Sequence, residues 1–388
     1  MKLRLSAMFA GSLGLLLIGC EKVPTFQELT GQDAAKQAST VTNSAGSTVT
    51  PQPPSIAVKP VEPQQPVVAE DPAAVIAVLT RKSIGQQLTN QDLARATKVP
   101  SVLAELKSLD ASRSAVTDEG ILLLSQFTAL TQIDLASLQV PINGSGLEGL
   151  ASLGDLRDLS LSSVKMDSSA GWEHLGKLPQ IEKLNLSFTN ITDAGVPTLI
   201  SMTGLKELNI SSTTISDDAL TQLAKKENLE ILRMETTPNI NGSGLKAFVK
   251  GKQSGLRCLY ASGTSLSREG MSHVKKIESL EVFENNEVQL TDQLLAELKG
   301  ATNLKTLAVK HNRLTTAAGQ TLRTMKNLEH LDLAQNNGVD TQILTALMSM
   351  TDLRTLDVSK TNCSRVVVEE FRQKRKKCKV IFDDNVGQ

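Results

Sequence analysis

Apolar residues return along this chain with a period of about 25 positions. Counted from a first apolar residue at position zero, apolar or small residues recur at positions three, five and about ten, and an apolar pair follows in a helix-like segment. One unit shows the pattern with Ile181, Leu184, Leu186, Ile191, Val196 and Leu199. The other units, 24 to 27 residues from one to the next, begin at Leu106, Leu130, Leu156, Leu205, Leu229, Leu256, Leu280, Leu304, Leu328 and Leu353. About eleven similar units in succession predict a solenoid of stacked coils.

Each unit predicts a short strand, a turn and a short helix. Positions zero, three and five would point into the core. Because side chains alternate along a strand, positions two, four and six would face the other way. A single unit is too small to bury its own apolar side, which is why neighbouring units stack. We therefore expect an α/β fold with one parallel sheet and helices on the opposite side.

The repeat resembles the leucine-rich repeat, LxxLxL followed by a polar and another apolar residue, over residues 106–377. The resemblance implies a horseshoe with a concave parallel sheet and convex helices. At position eight this family often has Asn, whose amide joins neighbouring coils. Here that position holds Thr189, Thr213, Thr237, Thr264 and Thr361, with Asn at Asn312 and Asn336. A threonine hydroxyl satisfies only part of the same backbone.

The segment ITDAG at 191–195 has relatives at 116–120 and 215–219. Each places a Thr, Ser or Asp where the outer helix would begin and be capped. This variant resembles the ribonuclease-inhibitor-like and F-box-associated horseshoes, which implies true α-helices on the convex side. Two units carry an insertion in the turn, at 141–146 and at 238–244.

Residues 144–149 read GSGLEG and so match the dinucleotide-binding motif GxGxxG. That motif binds a pyrophosphate only between the strand and the helix of a βαβ unit. Here it lies inside a repeat, and residues 241–244 show the same turn without the last glycine. We interpret the motif as a structural turn.

The repeats are flanked by two predicted caps. Residues 72–105 predict a helical N-terminal cap of one or two helices, the second of them beginning at Thr89. Residues 378–388 predict a C-terminal strand and tail, with Cys378, Ile381 and Asp383 at positions zero, three and five.

The first twenty residues predict an export signal, with Lys2 and Arg4 before an apolar run at 13–18. Residues 17–20, LIGC, resemble the lipobox of bacterial lipoproteins, which implies that Cys20 is lipidated and anchors the chain in the cell envelope. The alternative is an ordinary signal peptide with a chance cysteine. Glu21 stands where some bacteria use Asp to retain lipoproteins at the inner membrane, so the outer membrane is favoured.

Residues 21–71 predict a disordered tether, because they are polar, lack apolar periodicity and are rich in proline. The prolines are Pro24, Pro51, Pro53, Pro54, Pro60, Pro63 and Pro66. The folded repeats would therefore stand away from the membrane.

Composition argues against catalysis and against nucleic acid. The chain has 41 basic and 41 acidic residues and only 3% aromatics, so neither a global field nor stacking platforms are expected. Four His and four Cys, without a CxxC or HExxH motif, predict no metal site and no cofactor. Cys363 and Cys378 lie in adjoining coils, where they are either free thiols or a disulfide. We expect a monomeric, non-enzymatic protein.

The concave positions contain more acidic than basic side chains. The acidic ones are Asp110, Asp134, Asp158, Glu207, Glu235, Glu284, Asp332 and Asp357, and the basic ones are Lys183, Arg233 and Lys310. Tyr and Arg are enriched at binding hot spots. The predicted binding residues are Arg233, Glu235, Tyr260, Glu284, Lys310, His330 and Asp332. We predict that Ala at Arg233 and Tyr260 abolishes binding without changing stability; the alternative is that this face is unused.

A basic patch lies near the C-terminus and comprises Arg372, Lys374, Arg375, Lys376, Lys377 and Lys379. It is either the solvated face of the last helix or a surface that docks anionic headgroups or wall polymers. The sequence thus favours a membrane-tethered module that binds a protein or an envelope polymer through its concave face. The alternative is a structural, envelope-organising lipoprotein that acts through its convex face and basic end, and an enzyme is the least favoured class.

Overall fold

The computed structural model describes residues 71–80, 88–250 and 255–383. Twelve parallel strands form one sheet, and each strand pairs with the next in chain order. The strands are β1 (Ser108–Asp110), β2 (Gln132–Asp134), β3 (Asp158–Ser160), β4 (Lys183–Asn185), β5 (Glu207–Asn209), β6 (Ile231–Arg233), β7 (Cys258–Tyr260), β8 (Val282–Glu284), β9 (Thr306–Ala308), β10 (His330–Asp332), β11 (Thr355–Asp357) and β12 (Lys379–Ile381). This α/β leucine-rich-repeat solenoid confirms the fold class predicted from the sequence.

Short helices alternate with the strands. The α-helices are α1 (Pro72–Thr80), α2 (Asn90–Ala96), α3 (Pro100–Glu105), α4 (Asp118–Leu123), α5 (Val196–Ser201), α6 (Asp217–Leu223), α7 (Lys246–Lys250), α8 (Arg268–Lys276), α9 (Asp292–Leu295), α10 (Ala318–Leu322), α11 (Gln342–Leu347) and α12 (Arg365–Lys374). The 3-10 helices are Leu124–Gln126, Ser145–Ser152, Ser169–Lys177, Asp193–Gly195, Ser243–Leu245 and Ala296–Leu298. The coils that contain β2 and β3 are followed by 3-10 helices only, so true α-helices do not line the whole convex side.

The core is built from the middle residue of each strand. Leu184 pairs in register with Leu208, and Leu208 with Leu232, so that position three of every coil forms one buried ladder. Complete burial of a leucine side chain contributes about 1.5–3 kcal/mol. Stability is therefore distributed along the solenoid and depends on contacts between adjacent coils.

In every coil the residue at position seven, which follows the strand, has a positive φ and so lies in the left-handed region of backbone conformation. These residues are Arg113, Ser137, Ser163, Phe188, Ser212, Thr236, Gly263, Glu287, His311, Gln335 and Lys360. The backbone N–H of each donates to a carbonyl of the following coil, as from Phe188 to Ser211 at 2.9 Å. These bonds offset the strain that a left-handed conformation imposes on non-glycine residues.

Two asparagines at position eight join neighbouring coils, as the resemblance implies. The Nδ2 of Asn336 donates to the carbonyls of Val309 and Leu333 at 3.0 and 2.9 Å, and its Oδ1 accepts from the N–H of Leu314 at 3.1 Å. By contrast, the hydroxyl of Thr213 donates only to Ile210 of its own coil, at 2.6 Å. The hydroxyl of Thr264, however, donates to the carbonyl of Met234 at 2.6 Å and accepts from the N–H of Thr237 at 3.0 Å, so threonine joins neighbouring coils at some position-eight sites and not at others.

The two inserted turns are held by an aspartate of the preceding coil. Asp217 accepts hydrogen bonds from the backbone N–H groups of Asn241 and Gly244, at 2.8 and 2.9 Å. Asp118 makes the equivalent bonds to Asn143 and Gly146, at 2.8 and 3.0 Å. The GxGxxG residues are thus part of a turn that rests on the neighbouring coil, which agrees with the structural interpretation of the motif.

Gly244 is expected to tolerate no side chain. A Cβ there would collide with the carbonyl oxygen of Asp217 and would lie 2.8 Å from the Cβ of Leu220. We expect Gly244→Ala to lower the free energy of unfolding by about 2–3 kcal/mol, since two coils must separate to relieve the overlap.

Gly154→Ala provides the control, because a Cβ at Gly154 meets no atom within 4 Å. Its effect should stay within about 0.5 kcal/mol. Denaturant unfolding of both variants measures the difference, and equal stability would show that the turn does not rest on Asp217.

The two ends of the repeats differ from the predictions in detail. Within the part of the chain that the structure describes, three helices, α1 to α3, precede β1 where one or two are predicted, and a capping box between Thr89 and Asp92 begins α2. At the other end the register is shifted by one residue: Val380 is buried and pairs with Leu356, and Ile381 faces the concave side. Cys378 occupies the core two residues before Val380, so the expected spacing of three is not kept. In the described ranges, no helix combines the length and apolarity needed to cross a membrane.

Candidate functional site

Positions two, four and six of the coils form one face of the sheet, which we call the concave face. The central strands bring together, at position four, Arg233 on β6, Tyr260 on β7 and Glu284 on β8. Ala308 and Asp332 continue this row on β9 and β10. Because paired strands lie about 4.8 Å apart, adjacent side chains in the row are in reach of each other.

Arg233 is the centre of a cluster that we call the Arg233 cluster, with Glu207, Glu235, Tyr260 and Ser211. Its guanidinium carbon lies 3.9 Å from the ring centroid of Tyr260, in cation–π geometry. Its Nε is 3.6 Å from Glu207, and its Nη1 is 3.4 Å from Glu235. The hydroxyl of Ser211 donates to the other oxygen of Glu235. The cluster therefore holds an arginine between two carboxylates and one aromatic face.

The cluster is more buried than the sequence predicts. Tyr260 is 4% exposed and Arg233 is 6% exposed. Burial raises the pKa of the Tyr260 hydroxyl to about 12, so that it stays protonated at neutral pH. These two side chains support the surface from within, and their replacement by alanine should reduce stability, contrary to the prediction from the sequence.

Glu284 lies beside Tyr260 with a carboxylate that has no ion pair or hydrogen bond among the described residues. Burial raises its pKa to about 7, partly opposed by Arg233 and reinforced by Glu235 and Asp332. Burial and the neighbouring Asp357 also raise the pKa of Asp332, to about 6, against a hydrogen bond of 2.8 Å from the N–H of Ala334. Two desolvated carboxyl groups thus flank Ala308.

The raised pKa of Glu284 predicts a pH dependence of stability. Between its ordinary value near 4.5 and about 7, the folded chain holds a proton at Glu284 that the unfolded chain has lost. The unfolding free energy contributed by this group should therefore fall as the pH rises through this window, by about 3 kcal/mol.

Glu284→Gln should remove this dependence, because an amide resembles the protonated acid at every pH. Unfolding free energies of the original protein and the variant, measured at intervals from pH 4 to 8, give the contribution as their difference. If the plots of unfolding free energy against pH remained parallel for the original protein and the variant, Glu284 would not be a buried group that titrates in this range.

The predicted binding residues lie in two groups along one face of the sheet. Arg233, Glu235, Tyr260 and Glu284 adjoin each other, whereas Lys310, His330 and Asp332 lie on or after β9 and β10. Burial lowers the pKa of His330, whose Nδ1 is 3.1 Å from the hydroxyl of Thr355.

Glu207 and Ser211 belong to the Arg233 cluster, but the sequence does not predict them as site residues. Both lie one strand before Arg233. When the units are aligned at position zero, Glu207 falls at position two and Ser211 at position six of the preceding coil, diagonal to Arg233. The alignment of the units could therefore have identified both as neighbours of Arg233.

Two arginines of the basic patch have structural partners. The guanidinium of Arg375 donates to the carbonyls of Met348 and Met350 at 2.9 and 2.5 Å, and so caps the end of the preceding coil. Arg372 donates to the carbonyl of Val380 at 2.8 Å and also pairs with Glu369. The basic patch does not lie on one face of a helix, because α12 ends at Lys374 and the later residues of the patch follow it. Exposed side chains remain at Lys374, Lys376, Lys377 and Lys379.

Cys363 and Cys378 are buried free thiols, which resolves the alternative left open by the sequence. Burial raises the pKa of both, that of Cys378 to about 11, so they react weakly at neutral pH. Within the described ranges, no three His, Cys, Asp or Glu side chains are grouped so that they could hold a metal ion. Cys20 and the predicted signal and tether, up to residue 70, lie outside the described residues.

Known proteins share the repeat and the fold. Residues 178–199 and 302–363 match two family models described as leucine rich repeat. No curated protein sequence matches the chain. A structure of TLR13 in complex with ssRNA13 superposes with a TM-score of 0.52 and 18% identity, over 75% of this chain and 44% of that one.

Two further structures are similar over most of their length. An internalin from Listeria monocytogenes gives a TM-score of 0.47 and 19% identity over 82% of this chain and 95% of its own. The yeast Rad7 and Elc1 complex gives a TM-score of 0.44 and 18% identity over 80% of this chain and 86% of that one. At these identities the likeness concerns the fold alone. The matched segments and the sheet together show the leucine-rich-repeat fold.

Proposed function

We propose that this chain is a non-enzymatic recognition protein that binds a protein or a cell-envelope polymer through its concave face. The observation that carries the proposal is the Arg233 cluster, in which the buried Arg233 and Tyr260 hold the partly exposed Glu235 at the centre of a twelve-stranded sheet. Repeat proteins bind partners along extended surfaces of this kind. A side chain already held in place loses little conformational entropy on binding.

The charge of the concave face favours a partner that is not a polyanion. Glu207 and Glu235 outnumber Arg233 within the cluster, and Glu284 and Asp332 add negative charge when ionised. Nucleic acid binding depends on neutralising phosphates with basic side chains. Nucleic acid is therefore a disfavoured partner for the concave face.

Export and lipid anchoring form the second part of the proposal. They rest on Lys2, Arg4, the apolar run at 13–18 and Cys20, followed by a proline-rich stretch long enough to act as a tether. Attachment to the cell envelope, with the outer membrane favoured, would place a monomeric recognition module near surface proteins and polymers.

The exposed lysines favour a second candidate, a structural, envelope-organising role. Lys374, Lys376, Lys377 and Lys379 lie close together in sequence at the end of the solenoid. Such a group of cations attracts anionic headgroups or wall polymers. In this alternative, the convex helices and the basic end make the contacts.

Site-specific photo-crosslinking in intact cells tests the proposal. One coil offers a matched pair of partly exposed serines: Ser262, which follows β7 on the concave face, and Ser272 in the convex helix α8. A photoreactive residue at Ser262 should give a discrete crosslinked product that Ser272 does not give. A third probe at Lys377 reports on the basic end. Products from Ser272 or Lys377 alone would favour the structural role and refute the concave-face proposal.

A further inference from the structure

Among the described residues, β12 is the last strand of the sheet and pairs on one side only. Alternate residues of a parallel strand bond to the neighbour on one side. Lys379 donates its N–H to the carbonyl of Arg354 on the β11 side, at 2.7 Å. The carbonyl of Ile381 accepts from the N–H of Val358 on the same side, at 3.0 Å. Val380, which lies between them, therefore directs its N–H and its carbonyl away from β11.

An edge strand with outward backbone groups is a template on which another chain can add a strand. The other end of the sheet is covered, because helices α1 to α3 precede β1 and α1 contacts it. At the β12 end the sheet has to be protected by other means. Lys379, which is exposed on the edge strand, is one of them, since charged side chains discourage edge pairing.

A side chain of α12 occupies the outward edge of β12. The Nη2 of Arg372 donates to the carbonyl of Val380 at 2.8 Å. Its Nη1 pairs with the carboxylate of Glu369, one turn earlier in the same helix. Hydrogen bonds from a charged donor are stronger than neutral ones, and the two partners together fix the guanidinium. Arg372 thus takes the central acceptor that an added strand would use.

The other outward groups of β12 have no such partner. Asp383 accepts from the N–H of Lys360 on the β11 side, so Phe382 also directs its N–H outward. Neither this N–H nor that of Val380 donates to a described residue. Without Arg372, the carbonyl of Val380 would join these two donors as a third unpaired group. A complete row of backbone partners would then face the solvent.

We propose that Arg372 makes an autoinhibitory contact that prevents two copies of this chain from pairing through β12. The excluded partner is a second copy, because an antiparallel β12–β12 contact has two-fold symmetry and closes after two chains. Pairing of β12 with β1 of another copy is hindered by the helices that precede β1. The inference concerns self-association and goes beyond the proposed function, which requires only the concave face.

The test compares Arg372→Met and Arg372→Ala with the control Arg323→Met, all in the full chain. Arg323 directly follows α10 and is exposed, so its replacement removes the same charge away from the edge. Light scattering during size-exclusion chromatography should show monomers for the original protein and for Arg323→Met. Both Arg372 variants should form dimers at the same concentration, with an association constant raised at least about tenfold.

Hydrogen exchange identifies the surface through which the variants associate. In the Arg372→Met dimer, the amides of Val380 and Phe382 should exchange at least about tenfold more slowly than in the monomer, because an added strand accepts from them. Circular dichroism verifies that each variant is folded.

Three results would each overturn the proposal: monomeric Arg372 variants, equal dimerisation of Arg372→Met and Arg323→Met, or a dimer in which both amides stay unprotected. Crosslinks from Ser262 in cells test the concave-face function without reference to β12. The two proposals can therefore fail separately.

Discussion

Replacing Tyr260 by alanine is expected to lower the free energy of unfolding by about 3 kcal/mol, the usual effect of removing a buried aromatic side chain. The ring is 4% exposed and lies 3.9 Å from the guanidinium carbon of Arg233. Its loss opens a cavity in the middle of the sheet face and removes the cation–π contact. Binding of the natural partner should be lost at the same time, because Arg233 and Glu235 lose their support.

Tyr260→Phe separates the two effects. It keeps the ring and the stacking on Arg233, so stability should stay within about 1 kcal/mol of the original protein. Chemical denaturation measures both variants. If Tyr260→Ala were as stable as Tyr260→Phe, the ring would not be part of a packed cluster, and the exposed contact predicted from the sequence would be the better account.

Asn336→Ala is expected to have an effect of similar size, a loss of about 3 kcal/mol. The amide connects two coils through bonds to the carbonyl of Val309 and the N–H of Leu314. Alanine would leave the buried Leu314 N–H without its acceptor. Because each coil is stabilised by its neighbours, we expect hydrogen exchange to accelerate first in the coils of β9 and β10.

Asn337→Ala is the matched control, since Asn337 is the adjacent residue and is exposed. Its unfolding free energy should stay within about 0.5 kcal/mol of the original value. Equal stability of the two alanine variants would refute a structural role of the position-eight amide.

The fold could be predicted from the sequence because its determinants are local and repeated. Leucine occurs at position three in nearly every unit, so a different residue in one unit does not obscure the period. The alternation of side chains along each strand then shows which positions face the concave side. The resemblance to the leucine-rich repeat implies the role of Asn312 and Asn336. Only where the spacing changes, between Cys378 and Val380, does the prediction of register fail.

The site could be predicted only in part, because its properties depend on residues from different coils. The burial of Tyr260 results from side chains on neighbouring strands, and no property of residue 260 itself indicates it. The hydrogen bond that the N–H of Gly244 donates to Asp217 joins residues 27 apart, and Arg375 donates to carbonyls 22 to 28 residues earlier. Counting charges along the sequence therefore assigns Arg375 to a basic patch, although its guanidinium N–H groups donate hydrogen bonds to backbone carbonyls.

The most direct test of the concave-face account is the affinity of the partner identified by crosslinking for two purified variants. Ser262→Trp places a bulky ring on the concave face, and Ser272→Trp places the same ring on the convex helix of the same coil. We expect Ser262→Trp to weaken binding at least about a hundredfold and Ser272→Trp to leave the dissociation constant unchanged. Unchanged binding by Ser262→Trp, with loss of binding by Ser272→Trp, would contradict the account.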